Sequence, residues 1–346
     1  MMSKVKKWYE HPGQEQDVVV STHIYLSRNL EGFPFVRRMR SAEQREAMET
    51  VLSAVENSRL PLAGLFSFWP FREMDKTSAV SFVERGLATP EYIARREERG
   101  ILLTQDESLS MVLNGEDHLQ IHVSRPGLDL ESAYDSADRL ERLLSKELSF
   151  SYDETFGYLT QNPADLGTGM HASLLLHLPA LEGNGAVPRV SSSLSRLGID
   201  LRESMEAQGK ASVYRLTNRV SLGISEQEAL FNLKSMALQV ITQERSARKA
   251  LCRQIEAEDR AFRSRALLGS ARLLSQNECM ELLSNVRLGV SQGFYSAPGY
   301  EVIARWMAEV QPATLSLTAE QQDGVTLDQL RAAYVRRLME QEVGNT

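Results

Sequence analysis

Cysteine is nearly absent: Cys252 and Cys279 are the two in 346 residues. Both sit in amphipathic, helix-patterned sequence, which excludes a disulfide framework and leaves a reducing, cytoplasmic setting as the expectation. No apolar run approaches the roughly 20 residues a membrane helix needs. The opening MMSKVKKWYEHPGQEQD carries no apolar stretch of signal-peptide type, so no contact with a membrane is expected. Positive charge is in deficit, with 39 Lys and Arg against 46 Asp and Glu and a net charge of −7. General nucleic-acid binding relies on clustered cations and is not expected. The basic run Arg37-Arg38-Met39-Arg40 reads as solvated surface.

Several chemical signatures are missing too. The stretch NPADLGTGMHASLLLHLPAL, from Asn162 to Leu181, places a Gly167-Thr168-Gly169 turn before an apolar run. A phosphate-cradling GxxxxGK[ST] loop needs a Lys after the turn, and none follows. No HRD or DFG sequence and no Gly-x-Ser-x-Gly elbow occurs. No His/Cys cluster has zinc spacing, so no metal is expected. Alone, the Gly-Thr-Gly turn reads as a tight turn.

What is present is the composition of a soluble globular chain, 42% apolar and 25% charged, long enough for one large domain or two ordinary ones. DVVVSTHIYL (17–26) is rich in β-branched residues and predicts a strand. HLQIHVS alternates Leu119, Ile121 and Val123 as a half-buried strand does. The run after Gly169 predicts a strand stopping at Pro179, and 212–222 predicts a strand or hairpin. Helical spacing covers 41–57 and 130–148. Thr89-Pro90 predicts a helix start, with Gly100 as its end. EGNGAVP (182–188) predicts a mobile loop. Ser225 with Glu228, Ser275 with Glu278, and Thr326 with Gln329 are spaced as capping boxes before long helical patterns. The pattern therefore splits into an α+β region over 1–255 and an all-helical region over 256–346. Trp8, Trp69 and Trp306 read as packing residues, and the two cysteines as buried thiols.

One polar cluster is pointed enough to carry chemistry. In Asn114-Gly115-Glu116-Asp117-His118, adjacent carboxylates stand at the mouth of a strand. A carboxylate there can take a proton from an incoming nucleophile. A plain polar turn explains the same residues.

Taken in order, four segments resemble the ATP:guanido phosphotransferase family, most closely its bacterial protein-arginine kinase branch. STHIYLSRNLEGFPF (21–35) resembles SSRxRLxRN, and NGEDHLQIH (114–122) resembles NEEDHLRIQ. GYLTQNPADLGTGMHASLLLHLPAL (157–181) resembles GYLTxCPTNLGTGxRASVxLHLPAL. SVYRLTNRVSLGISEQE (212–228) resembles NxYQxSNxxxLGxSE. The resemblance implies an antiparallel sheet flanked by helices and transfer of the Mg-ATP γ-phosphate to an arginine side chain on another protein. It implies Glu116 and Asp117 as the catalytic acids. It implies a nucleotide pocket at Ser21, His23, Tyr25, Gln120, His171, Ala172 and Ser173. It also implies a phosphoarginine-binding motif, RDxxRA, in the helical tail. Here that stretch is Leu327-Asp328-Gln329-Leu330-Arg331-Ala332, keeping Asp328, Arg331 and Ala332 with Leu327 in place of the leading Arg, so weak capture of phosphoarginine is expected.

The departures fall on the charges. The family's phosphate arginines are His23, Tyr25, Gln120 and His171 here. The family's EKHLISP His aligns with Gly86, the CPTN Cys with Asn162, and the first acid of the pair with Gly115. The RGxYGE element falls near DLRESM (200–205), with Asp200 for its Arg and Met205 for its Glu, and Arg202 or Glu206 close by. One phosphate-contacting arginine is worth about 10³–10⁵ in rate, so losing four leaves little catalysis. Neutral histidine lacks both the charge and the bidentate fork. Three readings follow. The first is a pseudokinase acting by protein binding, as a homo- or hetero-dimer with an active arginine kinase or through its tail to a partner or protease adaptor. The second is an active protein-arginine kinase whose phosphate site is rebuilt from Arg125, Arg202, Lys210 or Arg215. The third is a pocket for a neutral or weakly anionic ligand.

Overall fold

The computed structural model describes residues 5–57, 64–204, 211–318 and 324–343. Its strands are β1 (Val19–Arg28), β2 (Phe66–Pro70), β3 (Gly100–Thr104), β4 (Leu109–Leu113), β5 (Leu119–Pro126), β6 (Tyr152–Asp153), β7 (Gly157–Tyr158), β8 (Met170–His177), β9 (Ile199–Glu203) and β10 (Val213–Asn218). Eight of them form one antiparallel sheet in the order β2-β3-β4-β5-β1-β8-β10-β9, while β6 and β7 pair as a separate small hairpin. The helices of the first region are α1 (Ser41–Asn57), α2 (Lys76–Glu84), α3 (Pro90–Ala94), α4 (Leu130–Leu144), α5 (Pro179–Gly183), α6 (Val187–Ser195) and α7 (Glu226–Leu251). The tail adds α8 (Ile255–Ser270), α9 (Gln276–Ser291), α10 (Tyr300–Glu309), α11 (Pro312–Thr318) and α12 (Leu327–Val343). None of the described helices is long and apolar enough to cross a membrane.

Strand alternation sorts the two faces of the sheet. Ile24, Leu26, Ile121, Val123, Ala172, Leu174 and Leu216 join Val51 of α1, Ala137 of α4 and Leu233 of α7 in the main core. The opposite face carries the polar set described below. A second core is shared between sheet and tail, with Leu175 and Val213 packed among Leu283, Trp306 and Val335. Polar contacts reinforce this joint. His177 Nε2 meets Ser284 Oγ at 2.8 Å. The Glu84 carboxylate at the end of α2 accepts the backbone N–H groups of Ala313 and Thr314 at 2.9 and 2.8 Å.

The Ser225–Glu228 box closes reciprocally at the start of α7. Ser275 caps α9 through the Glu278 N–H, and Thr326 and Gln329 exchange hydrogen bonds before α12. Elsewhere the local reading is corrected. The helix after Thr89 ends at Ala94, and Gly100 opens β3 instead of ending a helix. A side chain at Gly100 would strike the Phe68 ring, so the glycine serves strand packing. EGNGAVP is two helix ends joined by a short turn, with Pro179 and Pro188 each in the first turn of a helix. Trp306 is fully buried, whereas Trp69 is 46% exposed on the edge strand β2. Cys279 is buried as expected, but Cys252 is half-buried at the end of α7.

Candidate active site

β1 lies between β5 and β8, so its alternate residues meet both neighbours. His23 stands opposite Ser124 and Ser173, Tyr25 opposite His122 and His171, and Ser27 opposite Gln120. The structure thus gathers His23, Tyr25, Gln120, His171, Ser21 and Ser173 on one face. Ala172 is not among them: it faces the main core, and its N–H is held by Asn218 Oδ1 at 2.7 Å.

This face is filled and charge-poor at its centre. His23 Nε2 meets Ser21 Oγ at 2.8 Å, and His23 Nδ1 meets Ser124 Oγ at 3.1 Å and His122 Nε2 at 3.2 Å. Tyr25 stacks on His122, with ring centroids 4.1 Å apart. Trp8 sets its edge against His23 at 5.7 Å. Both imidazoles are only 5% exposed. Burial, with His122 and Arg215 nearby, holds the His23 imidazole well below its ordinary value. Burial and Arg215 push His122 down to about 3. Both rings are neutral at cellular pH. His122 escaped the reading of the sequence, because its partnership with His23 depends on cross-strand register.

His171 behaves differently. Its Nε2 lies 2.6 Å from Asp165 Oδ1. Burial opposes its charge, but that contact raises its pKa overall. The expectation of two equivalent neutral histidines is therefore corrected: His23 is held neutral, and His171 leans toward the cation.

The acidic pair splits in role. Asp117 is buried, and its Oδ1 accepts from Asn29 Nδ2 at 2.6 Å and from the Gln161 N–H at 2.8 Å. It ties the β4–β5 turn to the chain after β1 and to the segment before Asn162. Glu116 is exposed at the tip of that turn. Partial burial, then the charges of Asp117 and Asp165, raise its pKa. A raised carboxyl beside a loop suits proton transfer. His118 is structural: its Nδ1 accepts the Leu30 N–H at 2.9 Å while Nε2 lies 2.9 Å from the Pro34 carbonyl.

Of the proposed replacement cations among the described residues, Arg215 alone donates to a side chain of this gathered polar set. Arg125 projects to the helix side, where Nη2 donates to Ser136 Oγ of α4 at 3.0 Å. Alternation already separates it from Gln120, an odd position against an even one. Arg202 pairs with Asp200 at 2.5 Å. Arg215 does reach the polar face, donating to Ser173 Oγ at 2.7 Å. Lys210, Met205 and Glu206 lie outside the described residues. Gly86 sits in the turn after α2 with φ +70°.

Two N–H groups at the Gly-Thr-Gly turn, those of Thr168 and Met170, are already engaged within the protein. The Thr168 N–H donates to the Ser221 carbonyl at 3.0 Å, and the Met170 N–H to Thr168 Oγ1 at 3.2 Å. Gly167 has φ +101°, and a Cβ there would meet the Ser221 oxygen at 2.2 Å. The glycines serve a close backbone crossing.

In the tail, Arg331 is 2% exposed and committed inward. It donates to the carbonyls of Val310 and Leu274 at 3.0 and 2.8 Å and to Asp328 Oδ1 at 2.7 Å. Two of the three retained residues of the phosphoarginine motif, Asp328 and Arg331, pair with each other. Leu327 is 41% exposed at the start of α12.

The architecture is that of the guanidino kinases. A taurocyamine kinase of Schistosoma mansoni superposes with a TM-score of 0.60 at 24% identity, covering 66% of this chain and 33% of that one. Lombricine kinase gives 0.58 at 19% identity, covering 67% of each. The family model for the ATP:guanido phosphotransferase C-terminal catalytic domain matches residues 46–247. That for the protein-arginine kinase McsB C-terminal domain matches 254–345. The protein-arginine kinase of Moorella thermoacetica is 35% identical over 98% of both chains. That of Desulforamulus reducens is 36% identical over 90% of this chain and 88% of its own. This chain belongs to the ATP:guanido phosphotransferase family, in its protein-arginine kinase branch.

Proposed function

We propose that this chain is a non-catalytic member of the protein-arginine kinase branch that works by binding another protein. One observation carries the reading: at the sheet face where the family's arginines meet phosphate, a buried, neutral His23–His122–Ser124 cluster stands instead. Mg-ATP keeps about two negative charges, and a desolvated phosphate needs fixed cations or free N–H donors. The partner is an active arginine kinase, a second copy, or a protein engaged by the tail in protein quality control. The free thiols of Cys252 and Cys279 suit a cytoplasmic setting. Calorimetric titration with Mg-ATP at low salt tests the reading. No saturable heat is expected up to about millimolar nucleotide, the upper range of enzyme affinities. Saturation well below that would overturn it.

The second reading is an active protein-arginine kinase using Mg-ATP and arginine-containing protein substrates. The names of the relatives favour it, as does the raised carboxyl of Glu116 beside Asp117. An acid-labile phosphoarginine product that disappears in Glu116→Gln would establish this reading in place of the first.

A further inference from the structure

We propose that the outer edge of β2 and the cavity beside it form a docking site for an extended segment of a partner protein, one that carries an aromatic or long aliphatic anchor and a nearby Lys or Arg. β2 ends the sheet and pairs only with β3. The Phe71 N–H donates to the Arg99 carbonyl at 3.0 Å, in register with the ladder that sets Trp69 against Ile101. Antiparallel bonding alternates along a strand, so Ser67 and Trp69 bond to β3 while the backbones of Phe66 and Phe68 face outward. Among the described residues those outward groups have no partner of their own. Edge strands are commonly guarded by charged side chains, and FSFWP has none.

Beside this edge lies a cavity of about 510 Å³, the size of an ordinary ligand pocket. Its apolar wall is Trp69, Pro70, Met74, Phe82 and Leu317. Phe82 is buried, whereas Trp69 and Leu317 are 46% and 51% exposed. The Trp69 and Phe82 rings lie 6.0 Å apart, a surface suited to an inserted apolar side chain. Charge selects the occupant. Two carboxylates, Glu73 and Asp75, line the cavity with one cation, Arg85. Arg85 is already paired with Glu107, and Asp75 caps α2 through the Ser78 N–H at 2.9 Å. Glu73 is exposed and, among the described residues, has no hydrogen-bond or ion-pair partner. A basic segment meets that carboxylate, and an acidic one is repelled. An added strand supplies main-chain bonds for affinity, and the cavity takes its side chains for selectivity.

The site also straddles the joint between sheet and tail. Phe82 belongs to α2 and Leu317 to α11, and Glu84 of α2 holds the start of α11. A seated segment touches both elements and stabilises their contact. No group of the polar sheet face takes part, so the inference stands whichever reading of the kinase chemistry holds.

The test uses the full chain without nucleotide and a short, fluorescently labelled peptide of Thr and Val. The peptide carries one Phe and, two positions on, one Arg, so both lie on one face of an extended chain. Saturable anisotropy is expected below about 1 mM, with a higher melting temperature when the peptide is in excess. Trp69→Ala, at an exposed ring, should weaken binding by about tenfold or more. Glu73→Gln should weaken it by about two- to fivefold for the Arg peptide and not for one with Gln in that place. Phe231→Ala, at an exposed ring on α7, should leave it unchanged. Of two peptides methylated on alternate sets of backbone nitrogens, the one that loses the N–H groups facing β2 should fail to bind and the other should bind. No saturation up to that concentration, unchanged affinity in Trp69→Ala, or equal affinity of the two methylated peptides would overturn the proposal.

Discussion

His171 Nε2 and Asp165 Oδ1 stand 2.6 Å apart, an imidazole–carboxylate pair at a position where the family's pattern has an arginine facing phosphate. The pair partly neutralises a corner that also holds Glu116, whose carboxyl feels Asp165 and Asp117. What remains of positive charge in this corner is turned toward the protein's own acids.

The pair sets a pH dependence. The His171 pKa in the folded chain is raised above its ordinary 6.5. Its stabilising contribution is therefore fully present below about pH 6.5 and is lost as pH rises through the folded value. Urea unfolding of the wild type and of His171→Gln across this range should show a gap that narrows as pH rises. A gap that widens with pH would contradict the assignment.

Arg28 and Glu141 form a buried bidentate pair, with Nε to Oε1 at 2.7 Å and Nη2 to Oε2 at 2.8 Å. Arg28→Met leaves Glu141 charged and alone, at a cost of about 3–5 kcal/mol. Adding Glu141→Leu should recover most of that loss. Denaturant midpoints of the single and double variants check it, and two additive losses would refute the coupling.

Arg331 should matter for folding more than for phosphoarginine. Arg331→Ala strands two buried carbonyls and should cost on the order of 3 kcal/mol. Titration of the wild-type chain with phosphoarginine should give no saturable signal. Tight binding, abolished by Arg331→Ala in a chain of unchanged melting temperature, would reverse the assignment.

Gly167→Ala forces a side chain into a left-handed backbone and against the Ser221 oxygen. A loss of more than about 1 kcal/mol is expected. Thermal unfolding reads it directly, and an unchanged midpoint would mean the crossing at Ser221 relaxes freely.

Much of this was legible in the sequence through alternation and capping. Ser21, His23 and Tyr25 share one face while Ile24 and Leu26 share the other, as a period of two requires. The same period could have set Arg125 and Ala172 on the core side, where the structure has them. The caps at Ser225 and Thr326 depend only on neighbours three residues away, so they too could be read. The His23–His122 contact was hidden because it spans 99 residues and depends on strand register. The Asp165–His171 pair was hidden because a charge on a loop has no periodic signature. The commitment of Arg331 to Val310 and Leu274 was hidden for the same reason as the histidine contact: its partners are 21 and 57 residues away.

The second core, in which Leu175 and Val213 pack with Leu283, Trp306 and Val335, also changes the meaning of the division near residue 255. That division separates two styles of sequence, but the cohesion of the molecule runs across it. A chain cut there would leave wet apolar surface on both fragments, and neither would be a faithful miniature of its half. Heating the intact protein should therefore melt sheet and tail together, in a single calorimetric peak.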